Sequence, residues 1–198
     1  PLSEVLSMMI VSAPAAADAP LLALACPTAD MPHGLVEAAR LLLPHLERGQ
    51  RIDAVGLRAA MERAFGGSDA AGAWDWKAAY DACEAATVLF LRKFGPAIRA
   101  QAASPAGVLQ MLGKVGSLLP THTRRSQESQ ALQQFSTPIE LAFVAATAAA
   151  VGPADVVLEP SAGTGLLAIF AELVSSRLVL NELAEARAGL LNQLFPGV

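Results

Sequence analysis

The sequence predicts a helix-rich α/β protein: an N-terminal α-helical bundle, then the truncated start of a Rossmann-like domain with a parallel sheet. Three observations predict it. Residues 33–120 carry apolar side chains at three- and four-residue steps, the period of a helix with one buried face. Residues 138–198 alternate short apolar runs with helical stretches, the pattern of βαβ units. Between them in character stands "VVLEPSAGTGLLA", Val156 to Ala168, an apolar run that crosses two glycines before small apolar residues resume.

Composition sets the bounds. Alanine dominates the 54% hydrophobic fraction, which favours helix over sheet. With aromatics at 5%, the core must rest on Leu, Val, Ala and Met. A chain of 198 residues can bury a sizeable core as one large domain or two small ones. The net charge of −4 makes no global electrostatic case for nucleic acid. Charge-free stretches such as Leu141 to Ala154 fall short of the roughly 18–20 apolar residues a spanning helix needs, so no membrane is expected. No Lys or Arg precedes Arg40, and Glu4 stands where a basic n-region would lie, which argues against a secretory signal. Pro1 in place of Met predicts that the natural start lies upstream. Cys26 and Cys83 form no Cys-x-x-Cys pair and are expected to be reduced, in the cytoplasm. His33, His45 and His122 show no ligand spacing, so no metal is predicted.

The elements follow in order. Residues 1–32, with prolines at 14, 20 and 27 and no sustained period, read as an N-terminal arm. Residues 33–120 read as the α-helical bundle. "HGLVEAARLLLPHLERG" is its first helix, with Pro44 expected to kink or divide it. Asp53 caps a second, in which Leu57, Met61, Ala64 and Phe65 share a face. Asp75 caps the third and longest. Its buried stripe is Trp76, Tyr80, Cys83, Thr87, Phe90 and Phe94, with Lys77 and Asp81 one turn apart on the outer side and Gly95-Pro96 ending or kinking it. Of the pair in "GAWDW", one tryptophan is expected in the core and the other at the helix start. Ser104-Pro105 opens a fourth helix, an N-cap followed by proline at the first helical position, with Val108, Met111, Leu112, Val115 and Leu119 as its stripe. These stripes read as core rather than as a cofactor box.

"PTHTRRSQESQALQQFSTP" marks a change of character. Residues 121–137 read as a linker that ends in a ligand-contacting element, and its His122, Arg124 and Arg125 are candidate contacts to nucleic acid phosphates. Residues 138–198 then read helix (Pro138 to Val151), strand (Asp155 to Glu159), helix (Thr164 to about Ser175), strand (Leu178 to Asn181) and helix (Ala184 to Phe195). Two parallel strands do not make a stable doubly wound sheet. The chain is therefore expected to be the front part of a larger protein.

The site is expected at the first strand–helix turn. Val156, Val157 and Leu158 form a buried strand, and Gly163 and Gly165 let a ligand approach the backbone. Gly163, Gly165 and Ala168 satisfy the G-x-G-x-x-G/A form, a weak signal alone. Glu182, at the end of the second strand, is placed to accept from ribose hydroxyls, which NAD and S-adenosylmethionine (SAM) both carry. Glu159 separates the two. NAD brings phosphates to this turn and SAM brings an ammonium and a sulfonium. Charges about 5 Å apart at an effective dielectric near 20 interact by roughly 3 kcal/mol, which favours the cation. Pro160 argues the same way, since it offers no N–H to a pyrophosphate. Upstream, Thr137-Pro138-Ile139-Glu140 reads as a capping box with proline at N1, a helix start suited to a carboxylate or to capping alone.

Taken together, "QQFSTP", "VLEPSAGTGLLA" and "LNEL" resemble the opening of the SAM-dependent amino-methyltransferases that act on nucleobases. The set, with "AFGGSDAAGAWDWKAAYDACEAATVLFLRKFG" and the junction "THTRRSQESQALQQFSTP" after it, is most similar to the methylase/helicase proteins of the strawberry notch-like family. The resemblance implies a class I methyltransferase fold for residues 138–198, with Phe135, Ser136, Thr137 and Pro138 at the methionine end of SAM. It implies Glu159, Pro160, Ala162, Gly163 and Gly165 as the cofactor turn, and Glu182 at the ribose. It also implies a parent that methylates an amino group of a base, N6 of adenine first, in DNA before RNA. The partners in cis would be the rest of the methyltransferase and a helicase-type domain. The family's Asn/Asp-Pro-Pro-aromatic motif does not occur here, so no catalytic residue is assigned. Two other classes stand beside this one: a non-catalytic SAM- or nucleic-acid-binding module that recruits a helicase-type domain, and an NAD oxidoreductase.

Overall fold

Three of the helix starts rest on a side-chain cap written in the sequence. In the computed structural model, which describes residues 31–121, 135–174 and 177–198, Asp53, Asp75 and Ser104 accept the N–H groups of Gly56, Ala78 and Gly107 at 2.8, 2.7 and 3.3 Å. Each thereby satisfies a first-turn donor that has no partner within its helix. The described elements run α1 (Met31–Glu47), α2 (Ala54–Phe65), α3 (Trp76–Gln101), α4 (Pro105–Gly116), α5 (Ile139–Ala148), β1 (Val156–Glu159), α6 (Ala168–Glu172), β2 (Arg177–Leu180) and α7 (Glu185–Leu194).

Neither internal proline ends its helix. Pro44 lies inside α1 and Pro96 inside α3. A proline removes one helical hydrogen bond, but burial holds the flanking turns: Leu42 and Leu46 around Pro44, Leu91 and Gly95 before Pro96. Trp74 is in the core and donates its Nε1–H to the Gly67 carbonyl at 2.9 Å, while Trp76 stands half-buried at the start of α3.

Helix α3 is the centre of the molecule, and here the structure corrects the sequence expectation. Every residue from Ala78 to Val88 is buried, so the helix has no outer side over these turns. Asp81 is 2% exposed rather than solvated beside Lys77. Helix α1 packs along α3, and the later elements close around the same helix: α6 and α7 both touch it, and α7 also lies on α1. One hydrophobic cluster joins Leu35, Leu42 and Leu91 of the bundle to Ile169, Leu190 and Phe195 of the βαβ unit. Arg92 of α3 clamps Glu172 of α6 through two hydrogen bonds of 2.8 and 3.1 Å.

The strands β1 and β2 pair in parallel, with Val156 opposite Arg177 and Glu159 opposite Leu180. That gives a helix-rich chain with a small parallel sheet, compatible with an α/β fold. The strand was expected to be buried, yet Val156 and Leu158 are 52% and 63% exposed, as is Val179 at 50%. Helix α6 packs against both strands, and Val157, Leu178 and Leu180 on the alternate positions are half-buried. One face of the two-stranded sheet is thus covered and the other is open. No described helix is long and apolar enough to cross a membrane.

Candidate functional site

The turn after β1 owes its shape to its glycines and to its bonds with the end of β2. Gly163 and Gly165 have φ of 57° and 89°, values that side chains resist. These left-handed steps delay the helix, so α6 starts at Ala168 rather than at Thr164 as the sequence suggested. Asn181 fixes the turn from the neighbouring strand: its Nδ2 donates to the Pro160 carbonyl at 2.9 Å and its own carbonyl accepts from Ala162 N at 2.8 Å. Glu182 completes the stitching. Its Oε2 accepts from Gly163 N and its Oε1 from Ala184 N, both at 2.8 Å. Each carboxylate oxygen keeps a second lone pair, so holding the turn leaves acceptor capacity.

Above the turn lies a cleft of about 50 Å³. Sites that enclose a whole small molecule run to roughly 300–1,000 Å³, so this cleft has room for only one end of such a molecule. Of the sequence-predicted residues, Phe135, Ser136, Thr137, Glu159, Ala162 and Gly163 line it. Gly165 instead supports the turn from below, against Phe195 and Leu191. Glu182, half-buried and bonded to the turn, and the exposed Pro160 are not part of the lining. Pro138 is the N-cap of α5, which has no side-chain cap bond. The expected capping box is therefore not formed: Glu140 lies over Gly116 of α4, within 2.9 Å of where a Cβ there would sit. His122, Arg124 and Arg125 lie outside the described residues.

The cleft also contains residues that the sequence reading missed. Glu84 of α3, Thr164 of the turn and Arg187 of α7 line it. Thr164 Oγ1 donates to Glu84 Oε2 at 2.7 Å, a bond that spans 80 residues of chain. Arg187 forks onto Asp81 with bonds of 2.6, 3.1 and 3.2 Å, and Lys77 reaches the same carboxylate at 3.3 Å. A signal existed. From Ala78 to Leu91 the only charged residues are Asp81 and Glu84, set among alanines. A helix with so few long polar side chains is buried all round, and its carboxylates then need partners.

Burial tunes these groups. Desolvation, reinforced by the charge of Asp81, pushes the Glu84 carboxyl up to about 7 against the hydrogen bonds from Ser136 and Thr164 and the charge of Arg187. Glu159 is raised by its partial burial, offset in part by a hydrogen bond from the Ser161 backbone. Burial opposes the charge of Arg187, but its hydrogen bonds to Asp81 and the charges of Asp81, Glu84 and Glu182 raise its pKa. Burial pushes the Cys83 thiol up as well. Two carboxyl groups, Glu84 and Glu159, and one cation, Arg187, line the cleft; Asp81 pairs with Arg187 and Lys77 beside it, and Glu182 holds the turn.

No family model, curated protein or solved structure matches this chain. The chemistry must be argued from the site. With Arg187 already paired to Asp81, this lining disfavours an anionic group. Among the described residues no group of His, Cys, Asp and Glu is arranged to hold a metal ion.

Proposed function

We propose that this chain carries the cofactor-binding half of a SAM-dependent methyltransferase site, resembling the nucleobase amino-methyltransferases. One observation carries the proposal: a left-handed glycine turn meets an acidic cleft at the carboxyl end of β1, where open α/β sheets bind ligands. A dinucleotide would bring its pyrophosphate against Glu159 and Glu84. SAM would bring an ammonium and a sulfonium.

In this proposal the residues divide the work. Glu159, at the tip of β1 and lining the cleft, draws the cationic centre in. Gly163 allows close approach to the backbone, and Glu182 holds the turn while keeping lone pairs for ribose hydroxyls. Ser136 and Thr137 close the side towards the methionine end. When bound, SAM supplies an electrophilic methyl group to an acceptor's lone pair, so the protein's task is alignment. The acceptor proposed is the amino group of a nucleobase, N6 of adenine first, in DNA or RNA. The open apolar face of Val156, Leu158 and Val179 suits a further layer packed on it, since parallel sheets are covered on both faces. A methyltransferase remainder and a helicase-type domain are the partners proposed in cis.

Calorimetric titration with SAM and with NAD tests the cofactor directly. SAM should bind and NAD should not, and Glu159→Gln should weaken SAM about tenfold or more. Binding of NAD in preference to SAM would overturn the proposal.

A further inference from the structure

The helical bundle contributes to the cleft a carboxylate that no part of the βαβ unit supplies. We infer that Glu84 of α3 is a ligand-binding residue which couples cation binding in the cleft to release of a proton. This inference rests on the SAM reading of the same site and adds to it a residue and a pH dependence.

The geometry supports it from three sides. Glu84 lines the cleft although its residue is only 4% exposed, so its charge acts in a low dielectric where partners count most. Thr164 Oγ1 holds one carboxylate oxygen at 2.7 Å, and Thr164 belongs to the same turn as Gly163 and Gly165. The carboxylate is therefore fixed relative to the turn that a ligand would approach. Arg187, the cation that also lines the cleft, is committed to Asp81 through its bidentate contact. Its attraction for Glu84 is correspondingly shared.

The groups facing Glu84 are known from each element packed against it. From α3 come Asp81 and the buried Cys83 thiol; from α7, Arg187; from the turn, the Thr164 hydroxyl; from the segment before α5, Ser136. Burial and Asp81 hold the carboxyl up to about 7, so in the empty cleft it is partly protonated at neutral pH. A cation arriving in the cleft favours the ionised form. The proton leaves to solvent and the carboxylate stays as counter-charge. Affinity for a cationic ligand must then rise with pH until Glu84 is ionised without help.

The test is titration calorimetry of SAM into the full 198-residue chain between pH 5.5 and 8, in buffers of different ionisation enthalpy. The expected result is release of a fraction of a proton at pH 7 and an affinity that rises roughly tenfold or more over this range. Glu84→Gln should abolish the proton release and flatten the profile. Thr164→Val removes a donor that favours the ionised form, so it should move the profile to higher pH; it decides the matter if Glu84→Gln does not fold. SAM binding with no proton release, or with release unchanged in Glu84→Gln, would overturn the role of Glu84 and leave the cofactor assignment standing. Failure of SAM to bind at every pH, with both variants folded, would overturn the cofactor assignment and this inference with it.

Discussion

Arg187 and Asp81 stand 106 residues apart in the chain and share a bidentate contact whose shortest bond is 2.6 Å. Their side chains are 7% and 2% exposed. This pair fastens the last described helix to the second turn of the central one and sets a charged wall beside the cleft. The bundle and the βαβ unit are thereby one packed body around α3.

Removal of Asp81 alone should be costly. Asp81→Ala leaves a buried guanidinium without its counter-charge, and the expected loss is about 3–5 kcal/mol in urea denaturation. Replacing both partners, as Asp81→Leu with Arg187→Met, should recover much of that loss, because a buried pair and a well-packed apolar pair are often close in stability. A loss below about 1 kcal/mol for Asp81→Ala would mean that the contact does not join the two parts.

The two turn glycines should differ in their tolerance of a methyl group. Gly163→Ala meets no atom nearer than Arg187 Nη1 at 3.9 Å and pays mainly for its left-handed backbone, about 1–2 kcal/mol. Gly165→Ala has the additional problem that its Cβ would run into the Phe195 ring, whose Cζ would lie 2.8 Å away. It should lose more than about 3 kcal/mol, with a lower urea midpoint than Gly163→Ala. Equal losses would show that Phe195 yields easily.

Glu182→Ala removes the acceptor of both Gly163 N and Ala184 N. Bonds to a charged group are worth about 1.5–3 kcal/mol, so SAM affinity should fall about tenfold or more, and Glu182→Gln should fall between the two. An unchanged dissociation constant for Glu182→Ala would remove Glu182 from the binding role.

Stability should depend on Glu84 in a defined pH window. Its folded pKa, about 7, lies above its ordinary 4.5, so the folded state binds the proton more tightly than the unfolded chain. The stabilisation is complete below about pH 4.5 and is lost as pH rises through about 7. The loss is on the order of 3 kcal/mol. Glu84→Gln, uncharged throughout, should lack this loss, so the difference in unfolding midpoint between it and the wild-type protein should grow in its favour from pH 5 to 8. A constant difference would place the Glu84 pKa outside that window.

The legible features were those written in adjacent residues. Asp53, Asp75 and Ser104 cap their helices because a cap needs only a side chain three residues ahead of the N–H it accepts. Gly163 and Gly165 announced a turn, and β1 and β2 came within a residue of the expected bounds, since period and breakers are local signals. Thr137 and Glu140 show where such signals fail. Their spacing fits a capping box, but Glu140 turns instead to Gly116 of α4, and a tertiary contact prevailed over a local one. Pro44 and Pro96 were outweighed in the same way by the burial around them.

The chain's own order of residues thus determines where helices start, where the backbone turns left-handed and that a carboxylate, Glu159, stands at the end of β1. Packing decides the rest: that α3 is buried on every side, that Asp81 meets Arg187, and that Glu84 joins a turn 80 residues away through Thr164. The physical reason is range. Caps and turns are settled by bonds within a few residues, whereas a buried charge is tolerable only beside a partner, and that partner is known only when distant helices have come together.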